Sequence, residues 1–221
     1  MRTFLPAALA ASTMLLFGCM TAPSRYDVEM NGLARSDTGA VDHRYLLLPS
    51  DSSVSLNDLE FTEYARYVDH ALGKAGYQKA SEVDDATEAI FLYCGIGSPQ
   101  EHTYTFWLPD SDQPESSLLT PPDNIRAYGT WGTRTSQDHG NCRYISLSAV
   151  DLVKYKEDQQ VVELWRMEIT SLGSSHDLRR VFPAMIAASE KHLGRNTGRI
   201  LDRTVTDQDQ DVVEIRAVNA P

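Results

Sequence analysis

Cysteine is scarce in this chain: three occur, and no two have the Cys-x-x-Cys spacing of a metal or thioredoxin-like site. Histidine-rich clusters are absent too, so neither a metal nor another cofactor is expected. The Gly-x-Ser-x-Gly elbow, the phosphate loop, the dinucleotide fingerprint and His-Glu-x-x-His are all missing, which removes every specific motif for an enzyme and leaves no catalytic residue to assign. Basic side chains are also few, 20 Lys and Arg against 31 Asp and Glu, for a net charge of −11. That balance argues against nucleic acid as a partner, because phosphate neutralisation by Lys and Arg drives such binding. It also supplies no basic patch for anionic lipid headgroups. No apolar run reaches the roughly 20 residues of a membrane-spanning helix, and no internal repeat is visible.

What is present begins with the N-terminus. Met1-Arg2 gives a short positive start, Phe4 to Phe17 an apolar core, and Leu16-Phe17-Gly18-Cys19 a small-residue cut site. This resembles a bacterial lipoprotein signal, in which the cysteine after the cut is lipidated and its freed amine acylated. Cys19 is thus the expected lipidation site, carrying palmitate-like chains, and residues 1–18 the signal. Two or more acyl chains anchor stably, each buried methylene contributing roughly 0.8 kcal/mol. Met20 stands where the resemblance puts an inner-membrane retention aspartate, so the periplasmic face of the outer membrane is the expected address. Loss of Arg2 with the signal shifts the net charge to −12.

The remaining length, about 200 residues, suffices for one well-cored domain. Residues 19–42 carry little periodicity and are expected to be the lipidated cysteine and a tether. A single globular domain is expected over 43–195 and an acidic tail over 196–221. Tyr45 to Pro49 suggests a buried strand. Asn57 with Glu60 forms a capping-box-like start, and Phe61, Tyr64, Ala65, Val68, Ala71, Leu72 and Ala75 then follow a helical stripe stopped by Gly76. Ile90 to Ile96 gives a second apolar strand, and strand, helix and strand at this spacing predict a βαβ unit with parallel neighbours. Thr103 to Leu108 alternates as a strand. From Pro109 to Asn141 the chain is rich in Pro, Ser, Asp and Gly, a loop region suited to face a partner, with a strand signal only at Ile125 to Thr133. Strands over Arg143 to Tyr155 and Val161 to Ile169 predict an antiparallel hairpin. A second helix, capped near Ser175 and stopped by Gly194, contains Pro183, so either it starts near Phe182 or its first turn is kinked. Val212 to Val218 suggests one weak strand. The expected class is α/β (α+β): a mixed sheet of about five strands with a βαβ start, a C-terminal antiparallel hairpin and two packed helices.

Several of these strings, Tyr45 to Pro49, Phe61 to Tyr77, Tyr93-Cys94-Gly95-Ile96-Gly97-Ser98-Pro99 and Ser146 to Trp165, resemble the bacterial lipoproteins grouped as domain of unknown function 4136. The likeness spans Tyr45 to Arg195. It implies a mixed sheet flanked by helices and an envelope address, and brings no catalytic residues. Cys94, Cys142 and the acidic tail depart from it.

Cys94 and Cys142 are a candidate disulfide in an oxidising compartment, worth about 4 kcal/mol on the chain-entropy model, or a pair of free thiols. Asp207 to Asp211 begins like a calcium loop, but Val212 replaces its turn glycine and Val218 its bidentate glutamate; a solvated acidic segment is the better reading. His70 falls on the polar side of the first helix, His139 on a loop, and His192 in the last turn of the second helix. Trp165 is assigned to the core. Trp107, Trp131 and Tyr104 form the candidate partner surface, since aromatic residues beside polar loops resemble interface anchors. Two functions follow: a non-enzymatic module that binds an envelope protein or its own copies while held to the membrane by its lipid, and a periplasmic hydrolase acting on cell-wall or lipid material.

Overall fold

The computed structural model describes residues 23–36, 42–97, 103–106, 127–130, 141–173 and 175–220, with 103–106, 127–130 and 141 as backbone. In chain order the elements are β1 (Arg25–Ala34), β2 (Arg44–Pro49), α1 (Leu59–Lys74), β3 (Gln78–Lys79), β4 (Glu88–Ile96), β5 (Thr103–Phe106), β6 (Ala127–Thr130), β7 (Asn141–Asp151), α2 (Leu152–Asp158), β8 (Glu163–Gly173), α3 (Leu178–Ser189), β9 (Leu201–Thr206) and α4 (Gln210–Ala217). The class is α+β, as expected. Seven strands form one mixed sheet in the order β3-β2-β4-β7-β8-β1-β9, while β5 and β6 pair antiparallel as a separate ribbon. The described sheet thus exceeds the expected five strands, and four α-helices stand among the described residues where two were expected.

The βαβ start is present: β2 and β4 run parallel, joined through α1, with Tyr45 opposite Glu88 and Leu47 opposite Ile90. The antiparallel pair β7 and β8 is also present, but α2 sits in its connection where strand was expected to reach Tyr155. Alternation along β4 splits two cores. Ile90 and Leu92 join the large core against α1, α3 and α4, while Ala89 and Phe91 join a smaller one with Val150, Leu152 and Tyr155.

Helix ends differ in detail from expectation. Asp58, not Asn57, caps α1, its carboxylate accepting from Glu60 N at 2.9 Å and Phe61 N at 3.0 Å. Asp177 rather than Ser175 caps α3, and the helix runs from Leu178 with Pro183 inside it. Gly76, at φ +96°, stops α1 as expected, whereas α3 already ends at Ser189 and a 3-10 turn over Glu190–His192 separates it from Gly194 at φ +69°. After α1, Tyr77 N donates to Leu72 O and Gly76 N to Gly73 O, the pair of bonds that closes a helix through a left-handed glycine.

Two expectations are corrected. The segment expected as tether holds β1, in which Tyr26, Val28 and Met30 are buried and alternate with exposed Arg25, Asp27 and Glu29. This strand lies inside the sheet, hydrogen-bonded to β8 on one side and β9 on the other. The expected acidic tail likewise belongs to the core. Val205 on β9 and Val212 and Ile215 on α4 are each fully buried, and the three-residue spacing of the last two suits a helix rather than the expected strand. Arg203 fastens this segment, bonding Asp211 at 2.9 Å and the carbonyls of Ala187 and Ala188 near the end of α3. Burial of one continuous core from Tyr26 to Ile215 extends the domain past both expected boundaries.

Phe182 is fully buried and stacks on Tyr64 at 4.2 Å with an interplanar angle of 13°. Phe182→Ala is therefore expected to cost about 3–5 kcal/mol in urea unfolding. A loss under about 1 kcal/mol would mean that α3 does not close the core as described.

Candidate functional site

One end of the sheet, where β2 and β4 begin and β7 ends, meets the turns that follow α1 and α3. Thr87 staples the strand starts together: its hydroxyl accepts from Arg44 N at 3.0 Å and donates to the Asp42 carbonyl at 2.7 Å. This holds His43 beside Glu88, and His43 Nδ1 lies 2.5 Å from Glu88 Oε1. Glu88 opens β4 on the same face as Ile90 and Leu92, so strand alternation sends its carboxylate inward. Its side chain is 1% exposed, whereas that of His43 is 36% exposed.

Aromatic rings complete the wall. The closure of α1 at Gly76 delivers Tyr77, whose ring lies 4.6 Å from that of His43 and meets Trp165 edge-on at 6.0 Å. Gly194 leaves room for the Tyr77 hydroxyl, which a β-carbon at that position would overlap. Together these residues line a cavity of about 400 Å³, with Ala34 and Leu164 as apolar wall and Arg35, Val153 and Lys154 at the rim.

Burial raises the Glu88 carboxyl above its ordinary range, opposed by the hydrogen bond and charge of His43. Burial and the charge of Glu88 raise the Tyr77 phenol as well, keeping it a neutral donor. The Trp165 indole N–H faces Glu88 and Tyr77 and lowers both groups against the larger effect of burial, and it is sealed from solvent together with Glu88 Oε2. Thr87 also lines the cavity, but its hydroxyl is committed to backbone, and Asp151 is committed as the cap of α2, accepting from Lys154 N at 3.0 Å.

The thiols lie elsewhere. Cys94 stands opposite Ile145, so Cys142, three residues from Ile145, points to the other face of the sheet. Both are free, and the candidate disulfide is corrected: side chains on opposite faces of paired strands cannot meet. Burial and the charge of Glu60 push the Cys94 thiol up to about 12, and burial raises Cys142, so both stay protonated and unreactive.

Among the residues singled out by sequence, Cys19, Trp107, Trp131 and His139 lie outside the described residues. Tyr104 belongs to the backbone of β5, opposite Gly129 of β6. Trp165 is in the core at 4% exposure, and His70 Nε2 lies 3.6 Å from Glu214 Oε1. Among the described residues, no group of His, Cys, Asp and Glu is arranged to hold a metal ion. His43, Tyr77 and Glu88 escaped the sequence reading. One signal was available: Glu88 has the parity of the apolar Ile90 and Leu92, and a carboxylate on a core-facing position needs a partner.

No family model matches the chain, and no curated protein matches it. Solved structures do. A PDZ domain protein from Parabacteroides distasonis matches with a TM-score of 0.47 and 12% identity over 83% of this chain and 40% of that one. The chain therefore spans less than half the length of that neighbour. A DUF4136 family protein from Bacteroides thetaiotaomicron matches with a TM-score of 0.40 and 12% identity over 75% of this chain and 97% of that one. PelC from Paraburkholderia phytofirmans, crystallised as a dodecamer, matches with a TM-score of 0.38 and 10% identity over 77% of this chain and 99% of that one.

His43→Ala is expected to lower stability by about 2 kcal/mol near neutral pH, by leaving a buried charge without its bond. A carboxyl raised in the folded state favours folding most below its unfolded pKa and progressively less as pH rises through the folded value. The loss caused by His43→Ala should accordingly shrink in acid, where Glu88 is neutral. Urea unfolding at acidic and neutral pH checks this, and equal losses at both would show that the pair carries no charge.

Proposed function

We propose that the chain is a non-enzymatic envelope lipoprotein related to the domain of unknown function 4136 group, anchored through Cys19 at the periplasmic face of the outer membrane. Its domain binds an envelope protein or further copies of itself, with Tyr104, Trp107 and Trp131 as the partner surface. The lipoprotein signal supports the anchor. No helix among the described residues is long and apolar enough to cross a membrane.

The observation that carries the non-enzymatic part is the state of the cavity groups. Glu88 is tied to His43, the Thr87 hydroxyl and the Asp151 carboxylate are spent on backbone, and both described thiols point elsewhere and stay protonated. Hydrolysis needs a nucleophile or water set between an acid and a base, and the cavity offers the Glu88–His43 pair with no uncommitted Ser, Thr or Cys nucleophile among its described lining residues. The second reading, a periplasmic hydrolase, draws on that same carboxyl, since a raised pKa in a cavity is a mark of catalytic acids.

Expression with the native signal in a Gram-negative host should give palmitate-labelled protein in the outer-membrane fraction, and Cys19→Ala should abolish the label and release the protein. Identical labelling and fractionation of the two would overturn the anchor. Crosslinking in the same cells should capture a discrete partner that Trp107→Ala with Trp131→Ala loses; capture indifferent to both changes would remove the proposed surface.

A further inference from the structure

The His43–Glu88 pair leaves one ring nitrogen over. Nδ1 is closed by the Glu88 carboxyl, but the His43 side chain is 36% exposed, and Nε2 is not among the sealed polar atoms. Nε2 therefore stays open to a molecule in the cavity that His43 lines. Proton counting fixes what it offers. Whenever the pair as a whole is uncharged, Nε2 carries a proton, whether the proton shared by Nδ1 and Oε1 sits on nitrogen or on oxygen. Burial at Glu88 favours that uncharged pair over the anionic one, so Nε2 is a donor.

The rest of the lining agrees in sign. Arg35 and Lys154 stand there against Asp151, so with the pair uncharged the lining has a positive formal charge, inside a chain of net charge −11. The Lys154 ammonium pairs with no carboxylate among the described residues. An ammonium ligand would meet Arg35 and Lys154, and a neutral one would leave the Lys154 charge unanswered. A dianion would bring its second charge against Asp151 and Glu88. A single carboxylate meets none of these objections. Ala34, Val153 and Leu164 offer an apolar wall to its chain, and the volume, about 400 Å³, falls in the range of small-ligand pockets.

The geometry points to a binding site for a small aliphatic carboxylate in this cavity, its oxygens held between His43 Nε2 and the Lys154 ammonium and its chain laid against Ala34, Val153 and Leu164. The site is independent of the Cys19 anchor and of the Tyr104, Trp107 and Trp131 surface, so its failure leaves both standing. A free short-chain acid and the C-terminus of a peptide share this chemistry.

The test is nuclear magnetic resonance of the full chain in mild detergent, at constant pH and ionic strength. It follows the methyl signals of Val153, 44% exposed at the rim and assigned by their loss in Val153→Ala. Butyrate, its neutral isostere butyramide and N-acetylalanine are the probes. Butyrate should give a saturable shift and bind about tenfold more tightly than butyramide, the scale of one hydrogen bond to a charged group. Lys154→Gln and His43→Gln should each weaken butyrate by a similar factor, and Lys154→Gln carries the test should His43→Gln not fold. Binding of N-acetylalanine beside butyrate identifies a peptide C-terminus as a fitting ligand, and its exclusion restricts the site to free acids. Equal affinity for butyrate and butyramide, butyrate binding unchanged in Lys154→Gln, or no shift with any probe would overturn the site.

Discussion

A period of two along β4 obliges Glu88 to share a face with Ile90 and Leu92, and so drives a carboxylate into the interior of the sheet's end. Everything around the cavity answers that constraint. A buried carboxylate is tolerable only when bonded, and His43 supplies one bond because Thr87 pins the start of β2 to the start of β4. Register does the rest: Tyr45 and Asp151 flank Glu88 across the sheet, and Trp165 comes in from β8.

Helix termination serves the same end of the molecule. At Gly76 the left-handed backbone turns Tyr77 onto His43 and Trp165, while Gly194 gives the Tyr77 hydroxyl space that no larger residue would leave. Two residues that read as helix stops therefore also shape the cavity, Gly194 as lining and Gly76 by placing Tyr77. The result is a polar floor walled by aromatic rings, in which the Glu88 carboxyl and the Trp165 indole N–H are sealed from solvent.

Elements with strong local periodicity were legible. The apolar stripe of α1 reappears as the buried positions Phe61, Tyr64, Ala65, Val68, Ala71 and Leu72, and the parallel pairing of β2 and β4 follows from the spacing of strand, helix and strand. Less legible were β1, β9 and α4. Each mixes a few apolar residues with many charges, because one side of each faces water, and their burial comes from long-range partners: β1 from β8 and β9, and the tail from Arg203 reaching the end of α3. Nor could spacing reveal that Cys94 and Cys142 point to opposite faces, which depends on the register of β4 against β7.

By itself the sequence determined the α+β class, the parallel start, the antiparallel β7 and β8 pair and the glycine stop of α1, because local periodicity and backbone sterics need few distant residues. Only the tertiary structure decided that residues 25–34 and 201–217 complete the core, that the described thiols stay apart, and that His43, Tyr77, Glu88 and Trp165 meet. Those four come from separate parts of the chain, and sheet register with helix termination, not sequence spacing, sets the distances between them.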